Sequence, residues 1–230
     1  VTNLRRPSWG VVQFYNGRGT AEQWIKEGKN AVVKGILQNY YSTVERPVIF
    51  DKSRGWCGHI ELAEHILESE IKVIVPVRAI TDILSSFEKL WRNQAHEWQF
   101  PQEKTNYYDW QTVEGRADVW MKNDQPVGIA YNKLRDAISR GFADRLLFVE
   151  FEYLTESPKG TMEQVYSFLG EDYYDHDFNN VKQTTSENDD IHGIPGLHTI
   201  RPVVKPVVSD AIEVLGKNVI EKYSNAEFWR

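Results

Sequence analysis

The chain has 230 residues, 41% of them hydrophobic and 26% charged, which is typical of a globular protein able to bury one substantial core. Its net charge of -6 argues against a protein that coats nucleic acid, because such a protein must neutralise phosphates. A single cysteine, Cys57, excludes an internal disulfide and favours a cytoplasmic location, and neither a long apolar run that would span a membrane nor a signal peptide is visible.

The first half of the chain predicts helices and strands in alternation. A helix is predicted over Glu22–Tyr41, where apolar residues recur at helical spacing. The apolar run Pro47–Phe50 predicts a short strand, and Cys57–Leu67 predicts a second helix with apolar residues on one face. Ile71–Val77 is the next predicted strand, and Thr81 is the predicted cap of the helix that follows it.

The second half of the chain continues this alternation. Gln99–Gln111 is polar and aromatic without periodicity, which predicts a long surface loop. A helix is predicted over Val127–Ile138, a third strand over Leu146–Phe151, and a further helix that starts at Ser157-Pro158. Strands separated by helices predict an α/β fold with a central parallel sheet flanked by helices, in one domain over residues 1–230.

Parallel sheets of this kind bind ligands beyond the carboxyl ends of their strands. The predicted strands end at Asp51-Lys52, at Arg78 and at Glu150–Tyr153. We therefore expect the functional residues at these three strand ends.

Arg78 lies between a predicted strand and a helix start, and Ser86 follows eight residues later. A guanidinium beside the free N–H groups of a helix N-terminus, together with a hydroxyl, suits a phosphate monoester. The alternative is structural: Arg78 pairs with Asp82, and Ser86 has no role in binding.

The stretch VIFDKSRGW, residues 48–56, places two cationic side chains and a hydroxyl at the end of a predicted strand. Lys52, Ser53 and Arg54 are the side chains concerned, and cations at such a position can stabilise negative charge that develops during group transfer. The alternative is a solvated turn in which Asp51 pairs with Arg54.

The chain contains VIFDKSRGW, then about twenty residues that include a predicted helix, and then IKVIVPVRAITDILSSFEKLW. This order resembles the PAPS-dependent sulfotransferase family, and most closely its small bacterial and cyanophage members. PAPS is 3′-phosphoadenosine 5′-phosphosulfate, the sulfuryl donor. The stretches LLFVEFEYLTESPKGTMEQVYSFLG (146–170) and GLHTIRP (196–202) are similar to later segments of the family. The resemblance implies a P-loop-NTPase-like three-layer sandwich.

The resemblance also implies roles for individual residues. Arg78 and Ser86 match the pair that holds the 3′-phosphate of the donor, and Arg201 matches a basic residue that closes over the same phosphate. Lys52 matches a lysine that reaches the sulfonate. Arg54 stands where some relatives carry a catalytic histidine, but arginine stays protonated and is a poor base, so the general base is unassigned.

The chain departs from the family pattern at two places. The family opens with a strand, a loop of the type Gly-x-Pro-Arg-Ser-Gly-Ser/Thr and a helix, and the loop cradles the 5′-phosphosulfate. The nearest stretch, Val11–Trp24, has too few glycines and hydroxyls to match, so we expect the loop to precede Val1. Phe151 replaces a tyrosine that touches the adenine in many relatives.

The resemblance implies transfer of a sulfuryl group from PAPS to a hydroxyl of a small-molecule, lipid or glycan acceptor, with adenosine 3′,5′-bisphosphate (PAP) as product and no metal. The aromatic stretch Trp98–Trp110 is expected to help form the acceptor pocket.

One alternative function is a non-catalytic nucleotide-binding protein that keeps the fold. Another is a P-loop small-molecule kinase in which Asp51 holds magnesium. The spacing of His192, His198 and the neighbouring aspartates matches no metal-ligand template.

Overall fold

The computed structural model describes residues 48–53, 55–94, 107–184, 196 and 198–230. The chain divides into two compact units. The smaller unit comprises Val1–Ser53 and His59–Ile71, and the larger comprises Arg54–Gly58 and Lys72–Arg230. The predicted helix over Glu22–Tyr41 lies outside the described residues.

The described part of the smaller unit contains one helix, α1, over Ile60–Leu67. Its apolar face buries Ile60, Ala63 and Ile66, as the spacing in the sequence predicts. The predicted strand at Pro47–Phe50 is wrong for its described part: residues 48–50 have no regular secondary structure, and the Phe50 side chain is 71% exposed. An apolar run becomes a strand only where a neighbouring strand pairs with it, and the described residues provide none here.

The larger unit contains two strands within its described residues, β1 over Val73–Val77 and β2 over Leu146–Glu150. They pair in parallel, with Val73 opposite Leu146 and Val77 opposite Glu150. Because the register brings both carboxyl ends to the same level, the residues that follow β1 and β2 are neighbours. This is the mixed α/β arrangement with a parallel sheet that the sequence predicts.

The helices of the larger unit lie between β1 and β2 in the chain or follow β2. In chain order they are α2 (Ile80–Gln94), α3 (Val113–Trp120), α4 (Pro126–Ser139), α5 (Phe151–Glu156), α6 (Pro158–Leu169), α7 (Ala211–Leu215) and α8 (Lys217–Tyr223). Short 3₁₀ turns lie at Trp56–Gly58, Tyr107–Trp110 and Ala143–Arg145. The predicted helices at 127–138 and after Ser157 are confirmed as α4 and α6, each with proline in its first turn.

Two predicted element boundaries need correction. The helix after β1 begins at Ile80, so Thr81 lies inside α2, and the carbonyl of Ala79 accepts the N–H of Ile83 instead. The strand predicted to end at Phe151 ends at Glu150, whose extended backbone precedes α5. Both misplacements arise because apolar side chains continue across the point where the backbone changes conformation.

Helix α3 was not predicted, because its face towards the protein combines apolar residues with the buried Arg116. Its N-cap is Thr112, whose side chain accepts the N–H of Gly115 at 3.0 Å. Trp110, predicted to belong to a loop that forms the acceptor pocket, is only 4% exposed and packs in the core instead.

One continuous core stabilises the larger unit. Its fully buried members come from α2, α3, α4, α7 and α8 and the turn before α3: Ile80, Leu84, Trp110, Ala117, Val119, Trp120, Val127, Ala211, Leu215 and Val219. The Trp110 and Trp120 rings meet edge to face, with centroids 6.1 Å apart. Since α2 belongs to this core, the position of the helix beside Arg78 is set by the packing of the whole unit.

Gly128 in the first turn of α4 allows close approach of the preceding backbone. A Cβ atom there would lie 2.1 Å from the carbonyl oxygen of Lys122 and 2.3 Å from that of Met121, both of which are backbone atoms. We expect Gly128→Ala to lower the free energy of unfolding by about 1–3 kcal/mol, as overpacking usually does. Chemical denaturation measures this, with Gly58→Ala as control because its Cβ would lie 3.4 Å from the flexible Lys133 side chain. Equal stability of the two variants would contradict the prediction.

Candidate functional site

Two of the three predicted strand ends meet at the carboxyl end of the strand pair. Arg78 directly follows β1, and Phe151 directly follows β2. The Arg78 guanidinium carbon lies 4.7 Å from the centroid of the Phe151 ring, a cation–π contact between side chains 73 residues apart in sequence. The register of the strands therefore creates this contact.

Arg78 is held between Phe151, the first residue of α5, and the first turn of α2. Its Nε lies 3.6 Å from Oδ2 of Asp82, and its side chain is 24% exposed. The Nε atom is buried and has no hydrogen-bond partner within the described residues. A partly buried guanidinium beside a helix N-terminus is the arrangement that favours a phosphate.

Ser86 lies on α2 one turn beyond Asp82 and is exposed. Its hydroxyl donates to the Asp82 carbonyl at 3.0 Å, as serine often does inside helices. The structure thus brings Arg78 and Ser86 to the same residue, one at its carboxylate and the other at its carbonyl. The predicted structural alternative, an ion pair between Arg78 and Asp82, is present, and it is compatible with phosphate binding by the remaining guanidinium nitrogens.

A segment far along the chain crosses this end of the strand pair. Oε1 of Glu227 accepts the N–H of Ile80 at 3.0 Å, so a carboxylate of the protein occupies one anion position at the start of α2. Arg230 donates from Nε to Glu150 at 2.8 Å and from Nη2 to Glu152 at 3.3 Å. Sequence patterns do not predict these contacts, because Glu227 and Arg230 belong to no recognisable motif.

A cavity of 480 Å³ opens beside these ion pairs. It is lined by Glu150, Glu152, Tyr153, Glu156 and Arg230. Arg230 balances part of the acidic charge, which would otherwise repel an anionic ligand at the neighbouring Arg78. Tyr153 is 62% exposed and offers a ring surface at the mouth of this cavity.

The other predicted site residues lie elsewhere in the described chain or outside it. Lys52 is exposed in the smaller unit, just after the apolar run 48–50. Arg54 lies outside the described residues. Arg201 is exposed and belongs to the larger unit, where the neighbouring Pro202 carbonyl accepts the N–H of Val181 at 2.8 Å.

The segment that follows Arg201 is attached to α2 by polar contacts. The Ser209 hydroxyl donates to Oδ1 of Asp82, and Asp210 accepts from Ser85 at 2.9 Å and from Lys89 at 2.7 Å. The hydrogen bonds from Lys89 and then Ser85 lower the pKa of the Asp210 carboxyl. One face of α2 therefore anchors the residues directly before α7.

Two features are absent from the described residues. No group of three or more histidine, cysteine, aspartate or glutamate side chains there is arranged to hold a metal ion. Nor does that part of the chain contain a helix long and apolar enough to cross a membrane.

The chain was compared with known families and proteins. A family model described as "Sulfotransferase domain" matches residues 57–190, more than half of the chain. The match includes Arg78, Ser86 and both strands, begins after Lys52 and ends before Arg201. No curated protein and no solved structure shows a significant match.

Proposed function

This chain belongs to the sulfotransferase family, and we propose that it transfers a sulfuryl group from PAPS to a hydroxyl group of an acceptor. The observation that carries the proposal is Arg78 at the carboxyl end of β1, partly buried between Phe151 and the start of α2. Its position lies inside the matched residues, and its chemistry suits the 3′-phosphate of the donor.

The residues at this strand end fit an adenosine 3′-phosphate. Arg78 lies next to a helix N-terminus, and its Nε lies 3.6 Å from Asp82, so the terminal guanidinium nitrogens are the donors proposed to bind the phosphate. We propose that Ser86 and Arg201 also bind the phosphate. The Ser86 hydroxyl would then donate to the phosphate instead of to the Asp82 carbonyl.

Sulfuryl transfer requires in-line positioning and stabilisation of spreading negative charge, and the donor, when bound, supplies the group that moves. We propose that Lys52 stabilises the charge that develops at the sulfonate, and that Arg54 adds positive charge beside it. Arg54 stays protonated, so another group must accept the proton of the acceptor hydroxyl.

The proposal extends to fold and location. We propose one domain over residues 1–230 with a P-loop-type three-layer sandwich around the parallel sheet, since the family resemblance implies that architecture. The single Cys57 supports a cytoplasmic location. The acceptor is proposed to be a hydroxyl compound of the small-molecule, lipid or glycan class.

We expect Arg78→Ala to weaken binding of adenosine 3′,5′-bisphosphate by about 20- to 100-fold, because it removes a charge-assisted contact to phosphate. Isothermal titration calorimetry on the full-length protein measures this. Arg140→Ala is a matched control, since Arg140 also pairs with an aspartate four residues away, Asp136, and lies 5.3 Å from the Phe142 ring. Equal affinity of the wild type and Arg78→Ala, or no binding by the wild type, would overturn the proposal.

A further inference from the structure

The carboxylate of Asp82 contacts both Arg78 of the proposed donor site and the segment before α7. One oxygen, Oδ2, lies 3.6 Å from Nε of Arg78, and the other, Oδ1, accepts the hydroxyl of Ser209. Asp82 is only 8% exposed. A carboxylate buried to this degree requires partners for its charge, and it has a different partner at each oxygen.

The same carboxylate limits how the Arg78 guanidinium can turn. Arginine side chains have long flexible stems, so a guanidinium needs contacts on more than one side to keep a fixed plane. Phe151 covers the guanidinium at 4.7 Å, and Asp82 lies beside Nε. Neither contact uses the terminal nitrogens as hydrogen-bond donors, and those are the nitrogens that bind a phosphate bidentately.

Asp82 also contacts the segment directly before α7. Ser209 bonds the Asp82 carboxylate, and the adjacent Asp210 is bound by Ser85 and Lys89 of the same helix. Three successive positions on one face of α2 thus attach this segment to the helix that carries Ser86.

We propose that Asp82 is a positioning residue for the donor: it orients the Arg78 guanidinium towards the 3′-phosphate, and Ser209 holds the Asp82 carboxylate in place. The inference rests on the proposed function. In a purely structural role, an acidic residue in the first turn of a helix stabilises the helix dipole. Loss of that role would change the affinity for nucleotides with and without a 3′-phosphate equally, whereas loss of the positioning role would affect only those with it.

The test is calorimetric titration of Asp82→Asn with adenosine 3′,5′-bisphosphate and, separately, with adenosine 5′-monophosphate, which lacks the 3′-phosphate. We expect affinity for the bisphosphate to fall about tenfold and affinity for the monophosphate to stay within about twofold. In an Arg78→Ala background, Asp82→Asn should have no further effect, because the residue acts through the arginine. Asp136→Asn is the matched control, since it disrupts the Asp136–Arg140 pair of the same spacing.

Ser209→Ala provides a second variant that keeps the Asp82 charge. It should lower affinity for the bisphosphate in the same selective way but by a smaller factor, and thermal unfolding shows whether each variant is folded. The inference would be overturned if Asp82→Asn lost equal affinity for both nucleotides, or if it bound the bisphosphate as tightly as the wild type or more tightly. Neither result would affect the proposed function. No bisphosphate binding by the wild type would overturn the proposed function and the inference with it.

Discussion

Replacement of Arg116 by methionine is expected to lower the free energy of unfolding by about 3–5 kcal/mol, because it leaves a buried carboxylate without its main partner. Arg116 donates from Nε and Nη2 to the two oxygens of Glu88 at 2.8 and 2.7 Å, and from Nη1 to the Trp110 carbonyl at 2.7 Å. Its guanidinium also lies 3.8 Å from the Trp91 ring centroid. Glu88 is 0% exposed, so water cannot replace these contacts.

Chemical denaturation of the wild type and Arg116→Met measures this loss. The double variant Glu88→Leu/Arg116→Met is the control, because replacing a buried ion pair with apolar side chains often restores stability. We expect the double variant to be more stable than Arg116→Met. A double variant that is less stable than the single variant would show that the methionine, rather than the carboxylate that lost Arg116, causes the loss of stability.

The pair also predicts a dependence of stability on pH. Burial alone would raise the pKa of the Glu88 carboxyl, but hydrogen bonds and charges from Arg116 and Arg92 hold it below its ordinary value of 4.5. A carboxyl with a lowered pKa in the folded state stabilises the protein fully above its unfolded pKa, and this contribution is lost as the pH falls through the folded value. The stability of the wild type relative to that of the double variant should therefore fall below pH 4.5, as measured by denaturation at several pH values.

Replacement of Lys52 by alanine is expected to lower kcat by about 10²- to 10³-fold, the usual cost of removing a group that stabilises transition-state charge. The KM for PAPS should change little, because Lys52 is proposed to act on the charge that develops during transfer rather than on the bound donor. Release of radiolabelled sulfate from the donor measures the rate, with water as acceptor until a hydroxyl acceptor has been identified.

Lys182→Ala is the control for this experiment, since Lys182 is also an exposed lysine without a proposed role. Its kcat should equal that of the wild type. If Lys52→Ala keeps the wild-type kcat, or if it raises the KM for PAPS while kcat is unchanged, Lys52 has no part in charge stabilisation.

Much of the local structure could be predicted from the sequence. The β1 strand, α4 and α6 follow from apolar periodicity and from proline in the first turn of each helix. The spacing of Arg78 and Ser86 predicted that both lie near one helix start, and both contact Asp82 in the structure. These features depend on residues within a few positions of one another, so the pattern of residue types along the chain is enough to predict them.

The polar contacts could not be predicted in the same way. Glu88 is a charged residue on a helix, and the pattern places it with solvated residues; only the packing of α3 against α2 brings Arg116 to it and buries both. Periodicity separates apolar from polar positions, but it cannot separate a solvated charge from a buried charge with a distant partner.

The sequence by itself determined β1, α2, α4, β2 and α6 of the larger unit, the resemblance to the family, and the place of Arg78 at the end of a strand. Only the tertiary structure decided what surrounds that arginine. Phe151, directly after β2, contacts its guanidinium, and Ser209, before α7, binds its partner Asp82. Glu227 binds the first N–H of α2. The physical reason is that a strand or helix follows from short-range periodicity, whereas the partner of a charge depends on which segments the core packs together.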